Sequence, residues 1–491
     1  MAKTSTPSSK PPSSEVRTRK VSVGKRPESI SFPNYHAALK YLYDRADVER
    51  MRPSRVDPSV FKLDRMQGIV SALGNPHESL KCVHIAGTNG KGSTVAMTAS
   101  CLKACGYTVG TYTSPHLVDL RERIMINGSM IAYPHFTELM GRVATAAAGL
   151  PKKWGEPTFF ELMTALAFLH FAEQAVDAAV IEVGLGGRLD STNVITPEVS
   201  AITSISFDHM QFLGKTLPAI AEQKAGIFKK GVPALTIPQE PSVIDAMRRV
   251  AEQVGAPFEV LGQDIEFSYR FEGNSQLGPL MRVGMSTERC EFEHIPVPLP
   301  GEHQAYNCGL TLAIVDKLCA RGFELPENRV MEGLEKVQLP GRMEIAWKEP
   351  RILLDGAHNP AALAALIKSV GAHVQKCDSM IMIFGCAADK DLDNLLKKVA
   401  LGADKVIFTR AKNNARAAEP ADLARRFSEI TPKMCQVAPT LEEALSIAGR
   451  AAGRDDLICI TGSFYLVGEA KKLLADRANK SGSASGALAV V

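Results

Sequence analysis

An α/β fold built as two successive parallel-sheet domains is predicted here, on three observations. Short β-branched runs alternate with helical stretches through residues 82–237, the pattern of parallel strands joined by crossover helices. Residues 256–300 then change texture to strands and turns, ending in the proline-marked "HIPVPLPGEH", after which the alternation restarts. At 491 residues the chain is also too long for one ordinary core.

Taken in order, residues 1–30 read as a disordered basic tail. They are rich in Ser, Thr and Pro, and they carry seven Lys and Arg against two Glu, so the rest of the chain is left near −1 from a total of +4. The prolines of "TPSSKPPSSE" argue against the amphipathic helix of a transit peptide. From Phe32 the chain becomes periodic, with a helix expected in "NYHAALKYLYDRADVER". Strands are expected at "CVHIAGT", "YTVGTYT", "AAVIEVG", "SAITSIS" and "PALTI", making residues 31–299 a first parallel-sheet domain. A second, smaller α/β domain is expected over 300–478 from "RILLDGAH", "SMIMIFGC", "KVIFTRA" and "LICITGS", and a flexible tail over 479–491. The near-neutral body argues against nucleic-acid binding. No apolar run approaches the roughly 20 residues that span a bilayer, which argues against a membrane protein. Ten cysteines without a C-x-x-C pair suit a reducing, cytoplasmic setting.

In a parallel sheet the residues just after strands carry ligands. After the first strand comes "GTNGKGS", whose backbone N–H groups and helix N-terminus suit phosphate while Lys91 reaches its charge. It departs from the usual phosphate-loop formula, which places glycine where Ile85 stands and a hydroxyl where Gly92 stands. Ser114 follows the second strand. Glu182 ends the third among apolar neighbours, where an unpaired carboxylate is costly. A salt bridge to Arg188 would explain it structurally, and magnesium would explain it functionally. Asp208, His209 and Lys224 follow. Taken singly, none of these decides a function.

Together with "TSPHL", "RERIMING", "TFFE", "EVGLGGRLDSTN", "DHMQFLG", "KAGIFKKGVP", "GEHQAYN", "LPGRME" and "LDGAHNP", in that order, the loop resembles the dihydrofolate synthase and folylpolyglutamate synthase family. That family belongs to the Mur ligase superfamily, and the resemblance runs from about residue 35 to about 475. It implies the two-domain Mur-ligase-like architecture and an ATP-dependent ligase. The substrates would be L-glutamate with dihydropteroate or reduced folates, joined through an acyl phosphate, with Mg2+ as cofactor and a monomeric enzyme. It implies ATP contacts at Gly87, Thr88, Asn89, Gly90, Lys91, Gly92 and Ser93, then Asn307, Arg342, Asp355 and His358 from the second domain. Metal ligands would be Ser93, Ser114, Glu182, His209 and Lys224, the last carbamylated. Lys91, Lys224 and His209 would serve catalysis, and Thr158, Phe159, Phe160, Glu161, Leu189, Asp190 and Ser191 would bind the pterin side. The sequence departs from the family pattern at Ser191 and Gln223, neither an expected metal ligand. A Mur-type peptidoglycan ligase would need a further N-terminal domain, and about 80 residues before the loop leave no room for one. A phosphate-loop switch would need neither Glu182, His209 nor Lys224.

Overall fold

The computed structural model describes residues 29–51, 61–274, 278–374, 377–412 and 414–481. Most of the expected basic tail lies outside these. Its last residue does not behave as a tail: the Ile30 N–H donates to Thr145 Oγ1 at 2.8 Å.

Eight strands form the first sheet: β1 (Cys82–Ala86), β2 (Val109–Tyr112), β3 (Ile124–Ile126), β4 (Ser129–Met130), β5 (Ala178–Glu182), β6 (Val199–Ile202), β7 (Ala234–Thr236) and β8 (Phe258–Val260). Their order is β4-β3-β2-β5-β1-β6-β7-β8. The strands from β2 to β8 run parallel, and every residue of β1, β5 and β6 is buried, as expected of a sheet covered on both faces. Only the β3–β4 edge is antiparallel. Because β1 sends its crossover one way to β2 while β6 lies on its other side, the carboxyl ends of β1, β5 and β6 frame a crevice at a topological switch point.

The expected helix at Asn34–Arg50 is shorter, Tyr35–Tyr43, with the Asn34 side chain accepting from the Ala37 N–H. It stops because the Asp47 carboxylate takes the Glu49 N–H at 3.0 Å, a turn that competes with helix. The loop Ala46–Met51 then crosses toward the cavity.

An antiparallel sheet of β9 (Glu266–Asn274), β10 (Gly278–Ser286) and β11 (Glu291–Pro296) follows. The expected boundary at residue 300 does not coincide with a change of core. Helices Glu302–Ala320 and Glu327–Glu335 pack on the phosphate-loop helix Lys91–Ala104, and Leu310, Ile314, Val330 and Leu334 share one buried cluster with Val83, Ile85 and Met285. Glu302–Ala320 is apolar nearly all round because the two sheets cover it from both sides. We place the division after Glu335 instead, where a third sheet begins.

That sheet has the order β12 (Glu344–Trp347), β13 (Arg351–Leu354), β17 (Leu457–Thr461), β14 (Met380–Phe384), β15 (Lys405–Phe408), β16 (Cys435–Val437), parallel except at β12. The closing helix runs Phe464–Ser481, past the expected start of the tail at 479. Residues 482–491 lie outside the described residues.

Candidate active site between the two sheets

The carboxyl ends of the first and third sheets face each other across a cavity of about 560 Å3. Its floor is the loop after β1. Gly90 has φ +95, and a Cβ there would sit 2.4 Å from Asn307 Oδ1, so only glycine fits both backbone and neighbour. The loop is held from below: the Thr88 N–H donates to the Ser204 carbonyl at 2.7 Å, and the Ser206 N–H to Thr88 Oγ1 at 3.1 Å. Gly92 lies on the first helical turn, and a Cβ there would be 3.8 Å from Glu182 Oε2. The glycine after the lysine therefore keeps the space before that carboxylate free of a side chain. Ser93, one residue later, is buried and receives Gln304 Nε2 at 3.3 Å.

Glu182 ends β5, 4% exposed, and burial raises its carboxyl above the usual range. Lys91 Nζ at 3.9 Å and the Ser114 N–H at 3.1 Å oppose this. No bridge to Arg188 forms among the described residues; Arg188 is exposed. These two, with the more distant Arg342 charge, do not offset the burial of the carboxylate, so it suits a further cation. Among the described residues no three His, Cys, Asp or Glu side chains are close enough to hold a metal by themselves. A magnesium ion, which is content with one or two carboxylates plus hydroxyls, waters and phosphate oxygens, fits this donor set.

Lys224, near the end of helix Leu217–Ala225, is buried and donates to the Gly87 carbonyl at 2.8 Å. Burial, then the nearby Lys91 charge, lowers its ammonium to about 7. His209 is half-buried, with a left-handed backbone at φ 50, and burial lowers it to about 3 against the pull of Asp208.

Across the cavity, Asp355 Oδ2 accepts the Met343 N–H at 3.0 Å and Oδ1 the Ala357 N–H at 2.9 Å. Burial raises Asp355, and Arg342 opposes the rise. The Arg342 guanidinium lies 4.4 Å from the Phe464 ring centre. His358 is turned by a 2.9 Å bond from Nδ1 to the Gly356 carbonyl. Asn307, expected from the second domain, stands on Glu302–Ala320 and so belongs with the first sheet; its Nδ2 donates to Gln304 Oε1 at 2.9 Å.

Thr158, Phe160, Leu189, Asp190 and Ser191 also line the cavity. Phe159 and Glu161 do not. Phe159 is buried in the core against Tyr43, and Glu161 closes a capping box, accepting the Thr158 N–H at 2.7 Å while Arg65 Nε binds it at 3.0 Å. The signal was in the sequence: T-x-x-E ahead of an apolar run is a helix start.

The lining residues Glu49, Lys390 and Arg416, and the partners that Asp208 and Asn89 take up, were not visible in the sequence because the residues that meet are remote from one another. Asp208 Oδ1 meets Lys390 Nζ at 2.5 Å across 182 positions, and Oδ2 lies 3.5 Å from His358 Nε2. Burial alone would raise Asp208, but His209, His358 and Lys390 hold it well below the carboxylate range. Asn89 and Asn359 bond each other reciprocally, at 2.9 and 3.4 Å. Arg123, fully buried, grips the Glu49 carboxylate, whose backbone carbonyl accepts from Arg416 NH1 at 2.7 Å, 367 positions away.

Residues 85–315 match the Mur ligase middle domain and residues 341–464 the Mur ligase glutamate ligase domain. Over 84% of its length, and 94% of the other protein's, the chain is 35% identical to the dihydrofolate synthase/folylpolyglutamate synthase of Bacillus subtilis. Its fold superposes on Mycobacterium tuberculosis folylpolyglutamate synthase complexed with ADP and AMPPCP, with TM-score 0.79, 31% identity and coverage of 90% of this chain and 99% of that one. Against Escherichia coli FolC in complex with DHPP and ADP the TM-score is 0.77 and the identity 29%, covering 90% and 98%.

Proposed function

This chain belongs to the dihydrofolate synthase/folylpolyglutamate synthase family of Mur ligases, and from that premise we propose that it attaches L-glutamate to dihydropteroate and to reduced folates. It is an ATP-dependent ligase that uses ATP and Mg2+. One observation carries the substrate reading: the phosphate loop, the under-neutralised Glu182, the buried amine of Lys224 and the Asp190 loop all open on one cavity that the Asp355–His358 loop closes from the other side.

A carboxylate is a poor electrophile. One oxygen of the pterin-linked carboxylate attacks the γ-phosphorus of ATP and ADP leaves; the glutamate amine then attacks the acyl carbon, and phosphate departs as the amide forms. Magnesium supplies positive charge between the two anionic partners when bound. Ser93, Ser114, Glu182, His209 and Lys224 would hold it. The loop Gly87–Ser93 orients the triphosphate with its N–H groups, and Lys91 meets the charge that develops on the transferring phosphoryl group. Asn307, Arg342, Asp355 and His358 hold the nucleotide, with the Arg342 guanidinium held beside the Phe464 ring. Lys224 takes up CO2 at its neutral amine, losing a proton and forming a carbamate. Its burial favours that amine at ordinary pH, and the product is a carboxylate-like ligand where an ammonium would repel a cation. Holding the reactants in line can be worth roughly 7–11 kcal/mol.

The enzyme works in the cytoplasm as a monomer, each chain bearing a complete cavity. Among the described residues no helix is long and apolar enough to cross a membrane. Purified protein supplied with ATP, Mg2+ and radiolabelled glutamate incorporates label into dihydropteroate and tetrahydrofolate. Label in neither, with intact ATP binding, would overturn the reading.

A further inference from the structure

His84 is the polar residue of an otherwise apolar strand. It lies in β1 between Val83 and Ile85, with no exposed surface. Burial, with the Lys229 ammonium nearby, keeps the imidazole neutral, so it carries one proton. Nε2 lies 2.8 Å from Thr192 Oγ1, while Nδ1 has no hydrogen-bond partner among the described residues. A proton on Nδ1 would be a buried donor with nothing to bond, which is dearer than an unused acceptor, so it sits on Nε2 and is donated to Thr192.

That fixes the next proton. With its oxygen accepting from His84, Thr192 turns its own hydroxyl hydrogen to Asp190 Oδ1, 2.5 Å away. The same oxygen takes the Thr192 N–H at 3.0 Å, and Oδ2 takes the Leu185 N–H at 2.9 Å. Asp190 starts the short helical turn Ser191–Val194, and one N–H bond would suffice for that. A buried imidazole and hydroxyl aligned behind it are more than a cap needs. The surrounding loop is anchored too: Asn193 Nδ2 donates to the Arg188 and Gly226 carbonyls, both at 3.0 Å, and the Arg188 N–H to the Gln223 carbonyl at 2.8 Å.

We propose that His84 and Thr192 are positioning residues that orient the Asp190 carboxylate to receive the paired N–H donors on the amino-pyrimidine edge of a pterin. The inference rests on the substrate reading given above. The relay is built entirely behind the carboxylate, out of the cavity, and so leaves the cavity side of Asp190 to the substrate. His84 and Thr192 have no exposed surface and act only through Asp190.

The test is a steady-state comparison of the full-length enzyme with Thr192→Val, which keeps shape and removes the hydroxyl, Thr192→Ser, which restores it, His84→Phe and His84→Gln. In Thr192→Val and His84→Phe, KM for dihydropteroate rises about tenfold, the scale of one hydrogen bond to a charged group. KM for ATP and for glutamate stays put, and preference over an analogue lacking the 2-amino group shrinks. Thr192→Ser and His84→Gln return toward wild type. Thermal melting identifies any variant that fails to fold, and Thr192→Val carries the test if His84→Phe does. An active wild type whose Thr192→Val variant shows unchanged dihydropteroate KM, or equal rises for all three substrates, would overturn the relay alone. A wild type inactive on every pterin would overturn the functional reading and this inference with it.

Discussion

Lys224 is the residue whose surroundings differ most from what its type suggests. In "KAGIFKK" it reads as a surface lysine, yet it is 5% exposed, bonded to the Gly87 carbonyl, and its ammonium is pushed down to about 7. A neutral amine pointing at the phosphate loop is what carbamate formation requires. Lys224→Ala is therefore expected to lose most glutamate incorporation, with partial recovery on adding formate or acetate, which can place a carboxylate in the vacated space. Lys224→Arg should stay inactive, since a guanidinium remains charged and cannot form this ligand. An active Lys224→Arg enzyme would refute the carbamate. At this scale the sequence was readable wherever a residue's role depends on near neighbours, as in the phosphate loop. For Phe159 and Glu161 the T-x-x-E signal of a helix start was there to read, and it assigns them to core packing and a helix cap while Thr158 and Phe160 of the same motif face the cavity.

Among the elements, the closing helix Phe464–Ser481 docks closely on the loop that carries Leu117. A Cβ on Gly468 would fall 1.8 Å from the Leu117 carbonyl oxygen, a backbone atom that cannot swing aside. Gly449, exposed on Leu441–Ala451, has nothing within 4 Å of its would-be Cβ. The same substitution thus has opposite signs. Gly468→Ala should lower stability by about 1–3 kcal/mol through overpacking, and should weaken ATP use by shifting the loop that carries Ser114. Gly449→Ala should raise stability by about 0.5–1 kcal/mol through helix propensity. Urea denaturation of the two variants decides; a Gly468→Ala protein as stable as wild type would show that the helix does not dock this closely. Element types were legible from alternation and β-branched runs, which is why the buried strands β1, β5, β14 and β17 lie where expected. The short edge strands β4, β12 and β16 were not, because they lack that burial and so its apolar signature.

Across the whole molecule, the docking of Leu117 on the closing helix is joined by a set of polar contacts between the halves at Asp208, which receives Lys390, His358 and Asn359 from the far side. Removing one partner of a buried pair typically costs about 3–5 kcal/mol, because the other charge is left stranded. Lys390→Met is expected to split the calorimetric melt into two transitions as the halves uncouple, with a reduced kcat. A single unchanged transition would mean that apolar contacts alone dock the halves. The sequence by itself determined the fold class, the family and the glycine-rich loop after β1, because these rest on local chemistry: glycines where the backbone turns tightly, β-branched runs where strands are buried, charged residues directly after strands. Tertiary structure alone decided that helices 302–335 belong to the first core, that Lys91 and not Arg188 answers Glu182, and that His84 stands behind Asp190. Each of those depends on which residues meet after more than 80 positions of intervening chain have folded, and periodicity along the chain carries no record of such meetings.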